Sequence, residues 1–260
     1  MSRSRFYRAL FDRRLVLPGL RAQTAVAMTW IKICGITNLE DARSAVAAGA
    51  DALGFVFYEK SPRNVAPEAV ANIVAELAPT IEMVGVCAGR AVAEWREIAR
   101  GSKLTSLQFH LRFEAADYLE QWRSFCSLAR SSPEKRYLAI PFALVEDPPS
   151  DRSAKLWDLG SGDHSGCDAF FLDSGTVDRP GGTGKAFDWA RAAHWVESAQ
   201  RKTKVVVSGG LRPSNVAQAI RILKPWGVDV ASGVEQAPGR KDPQKIRAFI
   251  AAVRQVETSL

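Results

Sequence analysis

The chain has 260 residues, 47% of them hydrophobic, enough to bury one large core or two small ones. None of its apolar runs approaches the roughly 20 residues that span a bilayer, so no membrane partner is expected. The formal net charge of +7 is unevenly placed: residues 1–27 carry six arginines and one acid, Asp12, supplying +5 and leaving +2 for residues 28–260. A body so nearly balanced lacks the broad basic face that nucleic acid demands, and a soluble, cytoplasmic protein is expected.

Residues 1–27 contain no uninterrupted apolar stretch, because Arg21 and Gln23 break the one candidate, which argues against a secretory signal. They are read as a disordered or loosely attached basic extension in preference to an organelle address. Residues 28–260 are read as the folded domain. Cys34, Cys87, Cys126 and Cys167 form no CxxC pair and no Cys/His spacing of a zinc site, so reduced thiols and no metal are expected.

From Trp30 onward, short β-rich runs alternate with stretches of helical period. The expected strands are Trp30–Cys34, Ala52–Phe57, Met83–Cys87, Leu104–Phe109, Arg136–Phe142, Ala169–Leu172, Lys204–Val207 and Val228–Ala231. Helices are expected over Leu39–Ala48, Pro67–Leu77, Val92–Arg100, Ala115–Ala129, Phe187–Gln200, Pro213–Leu223 and Pro243–Val256, with Asn38, Pro67 and Pro213 as start signals. Between Phe142 and Ala169 the chain is rich in Asp, Ser, Pro and Gly, so a long loop is expected in place of the fifth helix. Eight βα units of this kind predict one closed (β/α)₈ barrel, not an open doubly wound sheet.

Barrel chemistry sits at the carboxyl ends of the strands. There the sequence places Lys32 and Cys34 (first unit), Arg63 (second), Gln108 and His110 (fourth) and Asp173 (sixth). The seventh unit adds Ser208, Gly209 and Gly210, and the eighth adds Asp229, Ser232, Gly233 and Glu235. The turns Ser208-Gly209-Gly210 and Ser232-Gly233 let backbone N–H groups approach an anion, and a phosphate site after strands seven and eight recurs in such barrels. Pro180-Gly181-Gly182-Thr183-Gly184-Lys185 does not match the spacing of a nucleotide P-loop and is read as a mobile loop covering the substrate.

These residues carry a family resemblance. Lys32-Ile33-Cys34-Gly35-Ile36-Thr37 resembles the opening signature of the phosphoribosylanthranilate isomerases, and Gly49-Ala50-Asp51 through Ser61-Pro62-Arg63 resembles their second unit. In order follow Gln108-Phe109-His110, Leu172-Asp173, Gly181-Gly182-Thr183-Gly184 with Phe187-Asp188-Trp189, Ser208-Gly209-Gly210-Leu211, and Asp229 through Glu235 ending in Pro238-Gly239-Arg240-Lys241-Asp242. The resemblance spans residues 30–250. It departs at Leu111, where the family usually has Gly, and in the long stretch from His110 to Asp173.

The resemblance implies a cofactor-free Amadori rearrangement of N-(5-phosphoribosyl)anthranilate, a phosphosugar, within tryptophan biosynthesis. It implies Cys34 as base at C2 and Asp173 as acid at the ribose ring oxygen. A thiol is a competent base only as thiolate, so Cys34 is expected to have a lowered pKa, with Lys32 a candidate cause. Asp173 is expected to hold a proton through burial or a nearby negative charge.

The resemblance also places Arg63 on the anthranilate carboxylate, for which a guanidinium fork is suited, and Gly182 with Gly209, Gly210, Ser232 and Gly233 on the phosphate. Gln108 and His110 line the pocket or are structural; Asp229 accepts from ribose hydroxyls or caps a turn. Monomer and homodimer both stay open. A different phosphosugar isomerase or epimerase would keep the phosphate turns but give no reason for Cys34 and Arg63 together. A non-catalytic phosphosugar-binding barrel would be expected to lose Cys34 or Asp173.

Overall fold

Side chains alternate between the two faces of a strand, and here the alternation sorts residues into two environments. In β1 (Trp30–Cys34), Ile31 and Ile33 join the apolar layer under the helices, while Lys32 and Cys34 are directed to the opposite face. The same division runs through β2 (Ala52–Phe57), β3 (Glu82–Ala88), β4 (Ser106–His110) and β5 (Lys135–Pro141). It continues through β6 (Ala169–Asp173), β7 (Lys204–Val207) and β8 (Gly227–Val230).

The computed structural model describes residues 28–77, 81–88, 92–111, 134–145, 167–175 and 186–259, with Gln121 and Phe125. Its eight parallel strands close in sequence order into one barrel, β8 pairing back onto β1 with Lys32 opposite Asp229. Helices Leu39–Ala48, Pro67–Ala75 and Val92–Gly101 follow the first three strands. Trp189–Gln200, Val216–Leu223 and Pro243–Glu257 follow β6, β7 and β8. The apolar layer between strands and helices holds most of the core. No described helix is long and apolar enough to cross a membrane.

Inside the barrel, the amino-terminal half is filled by aromatic and small side chains. Tyr137 and Phe171 pack at 5.2 Å between ring centroids, Trp30 stands edge-on to Phe171 at 6.1 Å and stacks on Trp226 at 5.2 Å, and Ala52, Ala139 and Ala169 complete this floor. Packed aromatics at these separations close that end of the interior, and the cavity lies at the other.

Expected strands β1, β2 and β7 coincide with the observed ones. One helix start needs correction: Pro213 was expected inside its helix, yet the helix begins at Val216. The side chain of Asn215 accepts from Arg212 N at 2.8 Å and donates to Gly210 O at 3.0 Å, so Arg212–Asn215 forms a turn tied to the glycines before it. A short antiparallel ribbon, β9 (Glu235–Ala237) with β10 (Arg240–Lys241), was not expected. Residues 1–27, the loop at 146–166 and the turn Pro180–Lys185 lie outside the described residues. So does the expected helix Ala115–Ala129 apart from Gln121 and Phe125, whose ring meets Phe109 edge-on at 5.3 Å.

Candidate active site

The residue before a strand's end decides what that end can present. Two positions before Cys34, on the same face of β1, Lys32 is fully buried above the Phe171 ring, its ammonium 5.0 Å from the ring centroid. It donates to Gln108 Oε1 at 2.8 Å and to Asp229 Oδ1 at 3.1 Å. Burial disfavours the ammonium, but Asp229 and then Cys34 carry its pKa above the ordinary value, so Lys32 is a fixed cation. Space for it comes from Gly54 of β2, where a Cβ would lie 2.8 Å from both Lys32 Cε and Cys34 Sγ.

Cys34 ends β1 and lines the cavity of about 520 Å³ at the carboxyl end of the barrel. The expected lowering of its pKa does not hold. Burial pushes the thiol up, Lys32 opposes it, Asp229 adds to it, and the net direction is upward. Desolvation therefore outweighs the neighbouring cation.

Asp173, at the end of β6, faces the same cavity and accepts from Gly175 N at 2.7 Å. Burial raises its pKa against the opposing backbone bond and the charge of Lys32, in line with the expectation of a carboxyl disposed to keep its proton. His110, at the end of β4, is held to about 4, by burial first and by Lys32 second, so its imidazole is neutral. Because the Lys32 ammonium can only donate, it fixes Gln108 with the oxygen toward itself and the amide nitrogen 3.3 Å from His110 Nε2, which must then accept. Gln108 and His110 thus belong to the same polar layer as Lys32. Asp229 pairs with Lys32 and, among the described residues, accepts from no turn N–H.

The cavity's opposite wall is backbone. Gly209 and Gly210 adopt φ of 80° and 66°, the left-handed region that favours glycine. A Cβ on Gly209 would lie 2.5 Å from Ser174 N, and one on Gly233 would lie 1.8 Å from Leu211 O. The turns after β7 and β8 therefore touch backbone to backbone. Among the described residues, the N–H groups of Gly209 and Gly210 donate to no other backbone group. Gly209, Gly210 and Ser232 line the cavity; Gly182 lies outside the described residues.

Arg63, from the loop after β2, also lines the cavity, but it is not a loose surface arginine. Its Nε and Nη2 donate to Glu235 Oε1 and Oε2 at 2.7 and 2.8 Å. Glu235 also accepts from the buried Lys241 at 2.8 Å. Burial works against the Glu235 carboxylate, yet Arg63 and Lys241 together hold its pKa below the ordinary value. Sequence reasoning placed Glu235 at the mouth without a role and Lys241 only within a motif. Their signal was an acid and a base six residues apart across Pro238-Gly239. Among the described residues, no group of three or more His, Cys, Asp or Glu side chains is placed to hold a metal ion.

A buried acid, a thiol beside a fixed cation, an arginine fork and a glycine cradle around one cavity suit proton transfer on an anionic sugar. The family model for N-(5′-phosphoribosyl)anthranilate (PRA) isomerase matches residues 31–136 and 149–252. The chain belongs to the N-(5′-phosphoribosyl)anthranilate isomerase family. It is 40% identical over 229 residues to the N-(5′-phosphoribosyl)anthranilate isomerase of Citrifermentans bemidjiense, covering 88% of this chain and 98% of that one. The crystal structure of phosphoribosyl anthranilate isomerase from Thermotoga maritima superposes with a TM-score of 0.71 at 33% identity, covering 88% of this chain and 100% of that chain. A further phosphoribosyl anthranilate isomerase structure, in complex with reduced 1-(o-carboxyphenylamino)-1-deoxyribulose 5-phosphate, superposes at 0.68 with 32% identity and the same coverage. As an isomerase of tryptophan biosynthesis, the chain is an enzyme, and neither rival reading gains support.

Proposed function

We propose that this enzyme carries out the Amadori rearrangement of N-(5′-phosphoribosyl)anthranilate with Asp173 as acid and Cys34 as base. The observation that carries the reading is that one cavity is lined by Cys34 and Asp173, on β1 and β6, with Arg63 and the glycine turns beside them. Asp173 gives its proton to the ribose ring oxygen as the C1–O bond breaks and the anthranilate nitrogen forms an iminium. Cys34, as thiolate, takes the proton from C2; the C2–H electron pair forms the C1=C2 bond while the iminium π pair returns to nitrogen. The resulting enol tautomerises to the ketone. C1 is reduced and C2 oxidised within one molecule, the balance of an aldose–ketose isomerase, and no cofactor enters the scheme.

Raised pKa values suit Asp173 for donation, whereas Cys34 must lose its proton against desolvation, aided by Lys32. Arg63 is proposed to take the anthranilate carboxylate. Gly209, Gly210, Ser232 and Gly233, with Gly182, take the phosphate. Lys32, Gln108, His110 and Asp229 line the ribose between them. Water-soluble reactants make the cytoplasm the proposed place of work, and a homodimer is tested by sedimentation, since a related Thermotoga maritima protein is described as dimeric. Purified protein should consume N-(5′-phosphoribosyl)anthranilate and form the carboxyphenylamino-deoxyribulose phosphate without added metal or cofactor. Absence of that conversion, with phosphate still bound, overturns the reading.

A further inference from the structure

A guanidinium has five N–H donors in one plane and can engage two carboxylates, one along its Nε/Nη2 side and one across its Nη1/Nη2 end. Glu235 occupies the side of Arg63 with both oxygens, which leaves the end fork for a second carboxylate. Arg63 is part of the cavity wall and Glu235 is not; the acid is only 9% exposed. Beyond it comes Lys241, 1% exposed, whose ammonium also donates to Ala231 O at 3.1 Å. Lys241 N in turn donates to Asp41 Oδ2 at 2.8 Å, tying β10 to the first turn of the helix Leu39–Ala48. On the other flank, a Cβ on Gly35 would lie 2.5 Å from Arg63 Cδ, so the arginine stem rests against bare backbone.

Counting charges along this line gives a cation, an anion and a cation, with one positive charge left over at the cavity wall. That surplus matches one carboxylate. Were Glu235 needed only as a counterion for Lys241, one oxygen would serve, and its second oxygen would not have to grip Arg63 in the fork geometry that fixes the guanidinium plane.

We propose that Glu235, backed by Lys241 on the β9–β10 ribbon, is a positioning residue that presents the end fork of Arg63 to the substrate carboxylate and so sets the enzyme's selectivity for an anthranilate over an aniline. The inference rests on the reading of Arg63 given above.

The test compares Glu235→Gln with Arg63→Ala and with both combined. Two ligands are used: reduced 1-(o-carboxyphenylamino)-1-deoxyribulose 5-phosphate and its phenylamino counterpart without the carboxylate. Because Glu235→Gln leaves Lys241 buried without its carboxylate, Glu235→Gln/Lys241→Met, which removes one charge of each sign, is measured alongside. Glu235→Gln should weaken the carboxylated ligand about tenfold and the other less than about twofold, since only the former meets the fork. KM should rise with kcat kept within about twofold, the mark of uniform binding lost. In the Arg63→Ala background the same change should cost nothing more, because a residue acting through Arg63 has nothing left to act through.

If Arg63→Ala is selective for the carboxylated ligand but neither Glu235 variant is, the positioning role is wrong and the Arg63 reading stands. If Arg63→Ala weakens both ligands alike, the reading falls and the inference with it. An added cost of Glu235→Gln on top of Arg63→Ala marks a purely structural acid and likewise overturns the proposal.

Discussion

Lys32 and Asp229 are register partners across the β1–β8 seam, and their side chains close an ion pair at 3.1 Å inside the barrel. Cys34 lies two residues further along the same face of β1, so the pair that joins the barrel also sets the charge around the thiol. Replacing Lys32 by Met leaves Asp229 buried without its ion-pair partner and should cost about 3–5 kcal/mol of stability in denaturant unfolding. It should also move alkylation of Cys34 to higher pH, since Lys32 is the largest influence opposing desolvation of the thiolate. An unchanged alkylation profile would separate Lys32 from the base.

Cys34→Ser tests the base directly. A hydroxyl is far less acidic than a thiol, so kcat should fall by roughly 10²–10⁴ while a product analogue still binds. Turnover near that of the parent enzyme removes Cys34 from the proton transfer.

The pH profile carries a sharper expectation. Burial raises both the Asp173 carboxyl and the Cys34 thiol, and a carboxyl ordinarily ionises well before a thiol as pH rises. On the proposed mechanism the working form has Asp173 protonated and Cys34 ionised, the minority arrangement throughout the interval between the two pKa values. There the acid fraction falls tenfold per pH unit as the thiolate fraction rises tenfold, so kcat/KM is flat; it climbs with pH below that interval and declines above it. Asp173→Asn removes the falling factor. Its residual kcat/KM should therefore rise with pH across the former plateau until Cys34 is ionised, whereas a flat residual profile assigns the acid limb to another group.

The glycine cradle is tested by Gly233→Ala. With Leu211 O 1.8 Å from where the new Cβ would stand, the turns after β7 and β8 must separate. KM for the phosphorylated substrate should rise, and inorganic phosphate should lose its competition. Gly49→Ala is the control: at φ 95° with nothing within 4 Å of the added Cβ, it strains only the end of the first helix. It should cost about 1–2 kcal/mol of stability and leave KM unchanged. Equal effects of the two variants on KM would point to general loosening of the barrel.

How far this could be read in advance depended on the range of the interaction. β1, β2 and β7 were legible to the residue because each is a short β-rich run whose composition sets it off from its flanks. The ribbon Glu235–Lys241 escaped because strands of three and two residues are too short to repeat a strand's two-residue period. The direction of the Cys34 pKa escaped because it is decided first by burial in the closed barrel and then by charges brought from Lys32 and from Asp229 on β8, which local sequence does not reveal. Arg63 was picked out as an anion binder, but its grip on Glu235, 172 residues away, leaves no trace in local sequence. Pro213 misled for a different reason: proline suits a first helical turn, yet the side chain of Asn215 bonds the turn before it and delays the helix.

The seam between β1 and β8 joins the earliest described strand to the last of the barrel. Just before β1, Thr29 O accepts from Arg254 of the last helix at 2.7 Å, and in the seam itself Lys32 meets a partner 197 residues later. During synthesis, a ribosome has already released the thiol, the acid carboxyl and the arginine before the strand that supplies Asp229 emerges. Until then no seam exists, and Lys32 has no carboxylate to hold it beside Cys34. On the proposed mechanism, a nascent or truncated product lacking β8 has its thiol but not the carboxylate that holds Lys32 beside it.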